Sequence, residues 1–172
     1  MTLWFIDFVA EAMNSIIVDT NPLVYIYCAV PGLGNNYALL LGELARKNIL
    51  IIPKIVYGEI SLIFRDTKEL SAFLKDTGIV IGEMKPTAYI TAAKRWEKYN
   101  KRRVLMCQRC GKKLRKLMCE SCNAEIKIRQ HVLTDFLIGA FALETEGRKI
   151  VAHDFGHYST YFPELSIISS DP

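Results

Sequence analysis

Four of the five cysteines lie in one stretch, LMCQRCGKKLRKLMCESCNAEI, residues 105–126, as two CxxC pairs. The stretch repeats itself: Leu105-Met106-Cys107 with Cys110-Gly111 is echoed by Leu117-Met118-Cys119 with Cys122-Asn123. Two thiol pairs with eight residues between Cys110 and Cys119 have the spacing of two metal knuckles, each a turn that points backbone N–H groups at the sulfurs. Gly111 and Asn123 are residue types that tolerate the left-handed backbone such turns often need. Cys107, Cys110, Cys119 and Cys122 therefore read as a tetrahedral Zn²⁺ site with every position filled, structural rather than catalytic. Disulfides are the alternative. The N-terminus, MTLWFIDFVAEAMN, has no basic opening and no small-residue cleavage site, so it reads as an amphipathic helix docked on the body or on a second copy. With no secretory signal, the expected compartment is the reducing cytoplasm, which favours zinc. Cys28, the leftover cysteine, falls on an apolar helix and reads as a core residue.

A second set of residues is acidic and scattered. Asp19 ends the run SIIVD, and Asp154 follows KIVAH. Glu59 lies within KIVYGEISLIFR, and Asp135 sits in the first turn of VLTDFLIGAFAL. Each has an ordinary structural reading beside a chemical one. Asp19 or Asp135 can cap a helix, Glu59 can face solvent, and Asp154 can be a turn residue. Taken singly, the residue types leave that choice open.

The elements that position these acids alternate between strand and helix. Strands are expected at 15–19, 49–52, 79–81, 149–152 and 165–168, all apolar throughout. Helices are expected from Pro22, then over 37–47, 54–65, 67–76, 86–103, 133–144 and 156–162. Residues 31–36 (PGLGNN) read as a plain loop, because a phosphate-binding glycine loop would continue with Lys-Ser/Thr. Apolar strands between helices describe an α/β fold: a parallel sheet covered on both faces. Sites in such sheets lie outside the carboxyl ends of the strands, where Asp19 and Asp154 fall.

Composition narrows the function classes. The chain has 172 residues, 51% hydrophobic and 23% charged, which fits one soluble domain with a small accessory unit. No apolar run reaches the length of a membrane span, so no membrane association is expected. The net charge of +4 is unevenly spread: residues 101–129 hold ten Lys/Arg against two Glu, leaving the remainder at −4. A mildly acidic body with a basic segment points to a nucleic-acid partner; a Cys₄ zinc centre would balance only about two of those charges.

Together, VDTNPLV at 18–24, VYGEI at 56–60, TDFLIGAFAL at 134–143 and IVAHDFGHYSTYFPEL at 150–165 resemble the PIN-domain nucleases, and the last two resemble the VapC-type ribonuclease toxins among them. The resemblance runs from Ser15 to Ile168 apart from the cysteine unit. Glu59 and Asp135 stand 76 residues apart, long for the family, and removing residues 105–127 shortens this to 53. It therefore implies a three-layer PIN-like domain over 1–104 and 128–172, with an inserted zinc ribbon at 105–127. It also implies a metal-dependent endoribonuclease, cutting RNA to leave 3′-hydroxyl ends, with Asp19, Glu59, Asp135 and Asp154 as its acidic quartet. Mg²⁺ or Mn²⁺ suits these hard oxygen donors, with Asp19 and Asp135 as principal ligands and Glu59 and Asp154 as second or water-mediated ones. Thr20, Asn21 and Thr134 are placed to orient carboxylates or to bond within the core. His153 and His157 flank the last acid where many relatives carry a further acid or Ser/Thr; they read as half-buried histidines or as phosphate contacts. His131 lies outside the matched motifs and is assigned nothing. RNA contacts are expected from Lys101, Arg102, Arg103, Lys112, Lys113, Arg115 and Lys116. The partners implied are RNA, an antitoxin protein and a second copy in a homodimer. The alternative function is a non-cleaving RNA-binding or ribonucleoprotein-assembly module.

Overall fold

A computed structural model describes residues 14–102, 106–113, 117–126 and 131–170. The expected N-terminal helix, and Arg103, Arg115 and Lys116 among the basic residues, lie outside the described residues.

Five short strands form one parallel sheet: β1 (Asn14–Val18), β2 (Asn48–Pro53), β3 (Val80–Gly82), β6 (Lys149–Val151) and β7 (Ser166–Ile168), in the order β3-β2-β1-β6-β7. In β1, Ile16 pairs with Leu50 on one side and Lys149 on the other, and Ile17 pairs with Ile51 and Ile150. Ile16, Ile17 and Val18 are fully buried. That explains why the strand carries β-branched residues on both faces instead of alternating.

The helices are α1 (Thr20–Tyr27), α2 (Leu33–Ala45), α3 (Lys54–Ile60), α4 (Thr67–Thr77), α5 (Pro86–Arg102), α6 (Leu133–Leu143) and α7 (Phe155–Tyr161). Helix α6 is apolar nearly all round because it is covered all round. It packs on α5 and across β1 and β6, burying Phe136, Ile138, Ala140, Phe141 and Ala142. A fully buried Phe or Ile side chain contributes about 1.5–3 kcal/mol, so this helix anchors the body. A separate two-stranded antiparallel sheet, β4 (Leu117–Met118) with β5 (Glu125–Ile126), lies in the cysteine unit.

The structure differs from the sequence reading in four places. Helix α1 starts at Thr20, with Pro22 in its first turn rather than at its first position. Helix α2 begins at Leu33, inside the expected loop, because Gly32 turns the chain at φ 76° and the N–H of Gly34 bonds Val30. Helix α3 stops at Ile60, so Glu59 sits near its end rather than its middle. Cys28 is exposed at the C-terminal end of α1, not in the core. Among the described residues, no helix is long and apolar enough to cross a membrane.

Candidate active site

From β1 the chain progresses outward through β2 to β3, and then returns to the other side of β1 for β6 and β7. The reversal between β1 and β6 is the topological switch point, where a crevice opens at the carboxyl ends of the strands. Asp19 directly follows β1, and its N–H donates to the Val151 carbonyl at 2.9 Å, extending the ladder to β6. Asp154 lies just beyond β6 and caps α7, its Oδ1 accepting the His157 N–H at 2.8 Å. Asp135 reaches back in the first turn of α6, its Oδ2 accepting the Val132 N–H at 2.8 Å. The Thr20 hydroxyl donates to Glu59 Oε2, which ties α3 to the residue following Asp19. The ordinary structural roles of Asp135 and Asp154 as caps are thus present together with their placement at the crevice.

The acids feel one another. Asp19 is 5% exposed, and its carboxyl is pushed up to about 7, by burial first and then by the charge of Asp135. Glu59 adds a smaller push, while the Thr20 N–H and the Tyr158 hydroxyl pull the other way. The Asp154 carboxyl is also raised, mainly by burial; the His157 N–H, His131 and the Gln108 side chain lower it and Asp135 raises it. Tyr158 is buried beside Asp19, and desolvation and the acids hold its phenol well above the ordinary range. It is therefore a neutral hydrogen-bond donor at any physiological pH.

A histidine that the sequence did not single out sits among the acids. His131 is buried, with Nδ1 3.6 Å from Asp135 Oδ2 and Nε2 3.9 Å from Asp154 Oδ2. Its ring lies on that of His157, with centroids 4.2 Å apart, and its backbone N–H donates to the Tyr99 hydroxyl at 3.2 Å. The available signal was its spacing, four residues before Asp135 at a helix start. His157 is fully buried among His131, Phe136, Tyr158 and Phe162. Neither of its ring nitrogens makes a hydrogen bond of normal geometry. Burial, then His131, depress it to about 3. It is a neutral histidine of the core, fully rather than half buried. His153 stands edge-on to Tyr25 and within 3.4 Å of the Tyr37 hydroxyl.

The cysteine unit forms two matching turns. The Gly111 N–H bonds the Cys107 carbonyl and the Asn123 N–H bonds that of Cys119, each at 2.8 Å. Gly111 and Asn123 take φ of 69° and 55°, the left-handed conformation expected of them. Backbone N–H groups of Cys110 and Arg109 draw the Cys107 thiol below its ordinary value, and those of Cys122 and Ser121 do the same for Cys119. All four are free thiols. Of the basic residues, Lys112 and Lys113 are exposed, while Lys101 is paired with Glu97 at 2.7 Å.

Among the described residues, no three His, Cys, Asp or Glu side chains converge closely enough to cage a metal ion as they stand. The two cysteine pairs are accordingly not drawn into one four-sulfur centre. The chemistry of the acid set still fits a hard divalent ion. Its donors are carboxylate oxygens, and a cation among them would offset the repulsion by Asp135 and Glu59 that adds to the burial of Asp19.

No family model matches this sequence, and no curated protein matches it. Solved structures do match. One is VapBC2 from Rickettsia felis bound to a DNA fragment from its promoter, at TM-score 0.59 and 15% identity, covering 90% of this chain and 98% of that one. The chain has a VapC-like PIN fold. FitAcB from Neisseria gonorrhoeae aligns over 90% of this chain and 97% of its own, at TM-score 0.54 and 12% identity. At such identities the likeness covers the VapC-like fold alone, and the chemistry has to be argued from the site.

Proposed function

We propose that this protein is a Mg²⁺- or Mn²⁺-dependent endoribonuclease of VapC type, with Asp19, Glu59, Asp135 and Asp154 as its acidic quartet. The observation that carries this is the gathering of the acids at one switch point: Asp19 follows β1 and Asp154 follows β6, the Thr20 hydroxyl brings Glu59 to Asp19, and the charge of Asp135 bears on both Asp19 and Asp154. A fold needs no such arrangement for stability, since burying like charges together opposes folding.

In the proposed reaction Asp19 and Asp135 hold the ion, with Glu59 and Asp154 as second or water-mediated ligands. When bound, it supplies the charge that activates water at the scissile phosphate and steadies the leaving 3′ oxygen. Thr20 keeps Glu59 turned toward Asp19 through its hydroxyl. The buried Tyr158 hydroxyl beside Asp19 favours its ionised form and so would help it to serve as a ligand. Phosphates of the RNA are held by Lys101, Arg102, Arg103, Lys112, Lys113, Arg115 and Lys116. Such contacts make binding fall with salt.

For the cysteine unit, the reading is a Zn²⁺ ribbon inserted at 105–127. Supporting it are the two preformed knuckles, whose backbone N–H groups favour the thiolate form that a soft ion requires. Zinc would draw the two pairs together. An antitoxin and a second copy of the chain are the proposed protein partners, and the cytoplasm the proposed compartment.

The test is incubation of a broad labelled RNA panel with and without Mn²⁺, followed by chemical mapping of the ends. Mn²⁺-dependent products with 3′-hydroxyl ends support the nuclease reading. Tight RNA binding with no cleavage of any panel member replaces it with a non-cleaving RNA-binding or assembly module.

A further inference from the structure

The first cysteine knuckle is joined to the body of the fold. The Gly156 N–H of α7 donates to the Gln108 carbonyl at 2.7 Å. A Cβ on Gly156 would stand 2.3 Å from the Cys107 carbonyl oxygen and 3.0 Å from the Gly111 nitrogen. Both atoms are backbone, so only glycine allows this approach. A Cβ on Gly111, in turn, would lie 3.6 Å from both Gly156 Cα and Thr160 Oγ1. The knuckle therefore covers α7 from Gly156, just after Asp154, to Thr160. Its docking encloses a groove of about 430 Å³ between α5, the knuckle and the end of α7, a volume in the range that takes a small organic ligand. Met106, Tyr161 and Pro163 form the apolar lining. Met106 is buried and bridges across the knuckle to Lys113, and Tyr161 is half-buried against Tyr99 and His157. Four charged residues line the same groove: Arg95, Lys98, Lys113 and Glu164. Arg95 and Glu164 neutralise each other at 2.7 Å. Lys98 on α5 and Lys113 on the knuckle are exposed, and neither pairs with an acid among the described residues. Two uncommitted cations, one from each wall, thus accompany an apolar lining.

We propose that this groove binds a nucleotide of single-stranded RNA close to the scissile phosphate, with Lys98 and Lys113 on the phosphates and the apolar lining against the base. This rests on the nuclease reading above. The position of the groove relative to the acids supports it. Asp154 caps α7 and Tyr161 ends it. Its seven residues span roughly 10 Å, which is a few nucleotides along a strand that advances about 3.4 Å per stacked nucleotide. Tyr161 also packs on His157, with centroids 5.4 Å apart, and His157 in turn packs on His131 beside the acids. The lining decides between single strand and duplex. A duplex keeps its bases stacked on one another and meets a protein mainly through phosphates and 2′-hydroxyls, so apolar residues between cations gain little from it. An unpaired base covers those residues while its phosphates meet the lysines. Lys98 belongs to none of the motifs that the sequence offers. It becomes a contact because the docked knuckle builds the opposite wall.

The test is fluorescence anisotropy with labelled RNA in divalent-free buffer, which separates binding from cleavage. The wild type should bind a single-stranded oligonucleotide about tenfold more tightly than the same strand in a duplex, the factor that one covered base supplies. Lys98→Ala and Lys113→Ala should each weaken single-strand binding about fivefold near 0.1 M salt, and lower the slope of log affinity against log salt by about 0.7. Both lysines are exposed, so the fold survives either substitution. Lys75→Ala on α4, which does not line the groove, should change neither quantity. Wild-type affinity and slope in both lysine variants overturn the proposal, as does a wild type that binds duplex as tightly as single strand. A poly-aspartate peptide that binds more tightly than RNA, and is lost in the same variants, overturns it in favour of an acidic protein segment. Adding Mn²⁺ then tests the nuclease reading separately. Cleavage without the lysine effects keeps that reading and removes the groove, whereas the lysine effects without cleavage keep the groove as an RNA site and remove the nuclease.

Discussion

Asp19→Asn should make the divalent-free protein more stable at pH 8, although it removes the proposed principal ligand. In the wild type an ionised Asp19 is buried against the charges of Asp135 and Glu59. Its carboxyl moves from 3.8 to about 7 on folding; at about 1.4 kcal/mol per pH unit, that is a destabilisation of about 4 kcal/mol. The sign follows from proton binding. Between those two pH values the folded protein keeps a proton that the unfolded chain has released, so stability falls as pH rises from about 4 to about 7 and then levels off. Asn at this position does not titrate. It still accepts from the Thr20 N–H and the Tyr158 hydroxyl, and a mismatch in those bonds would add a pH-independent offset of about 1 kcal/mol. The slope is therefore the decisive quantity. Urea unfolding at pH 4.5, 6 and 8 in divalent-free buffer should show the variant gaining on the wild type by about 3 kcal/mol across that range. Mn²⁺ should then narrow the gap, stabilising the wild type by about 2.7 kcal/mol at a hundredfold excess over its Kd and the variant hardly at all. A stability gap that stays constant with pH, or one that grows in favour of the wild type, refutes the crowded-acid account.

Further outcomes follow from other contacts. Thr20→Val should slow cleavage by about tenfold by freeing the Glu59 carboxylate, with circular dichroism unchanged. Cys107→Ser combined with Cys110→Ser should lower zinc content by about one ion per chain by elemental analysis, and should leave the thermal transition of the body in place; global unfolding would make the unit integral to the core. Arg95 pairs with Glu164 at 2.7 Å, donates to the Tyr161 carbonyl and stacks over Phe162. Arg95→Ala should therefore destabilise the fold by about 1–2 kcal/mol, measured by denaturant titration.

The sheet was legible in the sequence because its strands are buried on both faces and so appear as unbroken apolar runs bounded by turns. Helix ends were less legible. Gly32 starts α2 by its backbone conformation, which composition does not reveal, and α3 ends at Ile60 although apolar residues continue beyond it. Asp19 and Asp154 could be placed from topology alone, since each follows a strand. Glu59 and Asp135 needed the resemblance, because a carboxylate on a helix is ordinary until the fold brings it beside others. His131 belongs to no matched motif; its spacing of four residues before Asp135 was a signal, but its approach to Asp154 depends on the fold. The left-handed turns at Gly111 and Asn123 were legible because only a few residue types adopt them at low cost.

The central claim is that the clustered acids are a hydrolytic centre. It is tested most directly by single-turnover cleavage of a labelled RNA with Mn²⁺, comparing the wild type with Asp19→Asn and Asp135→Asn at equal protein concentration. The account predicts cleavage by the wild type and a loss of about a thousandfold or more in each variant, with RNA binding retained. Equal cleavage by all three proteins would contradict it, as the activity would then arise elsewhere.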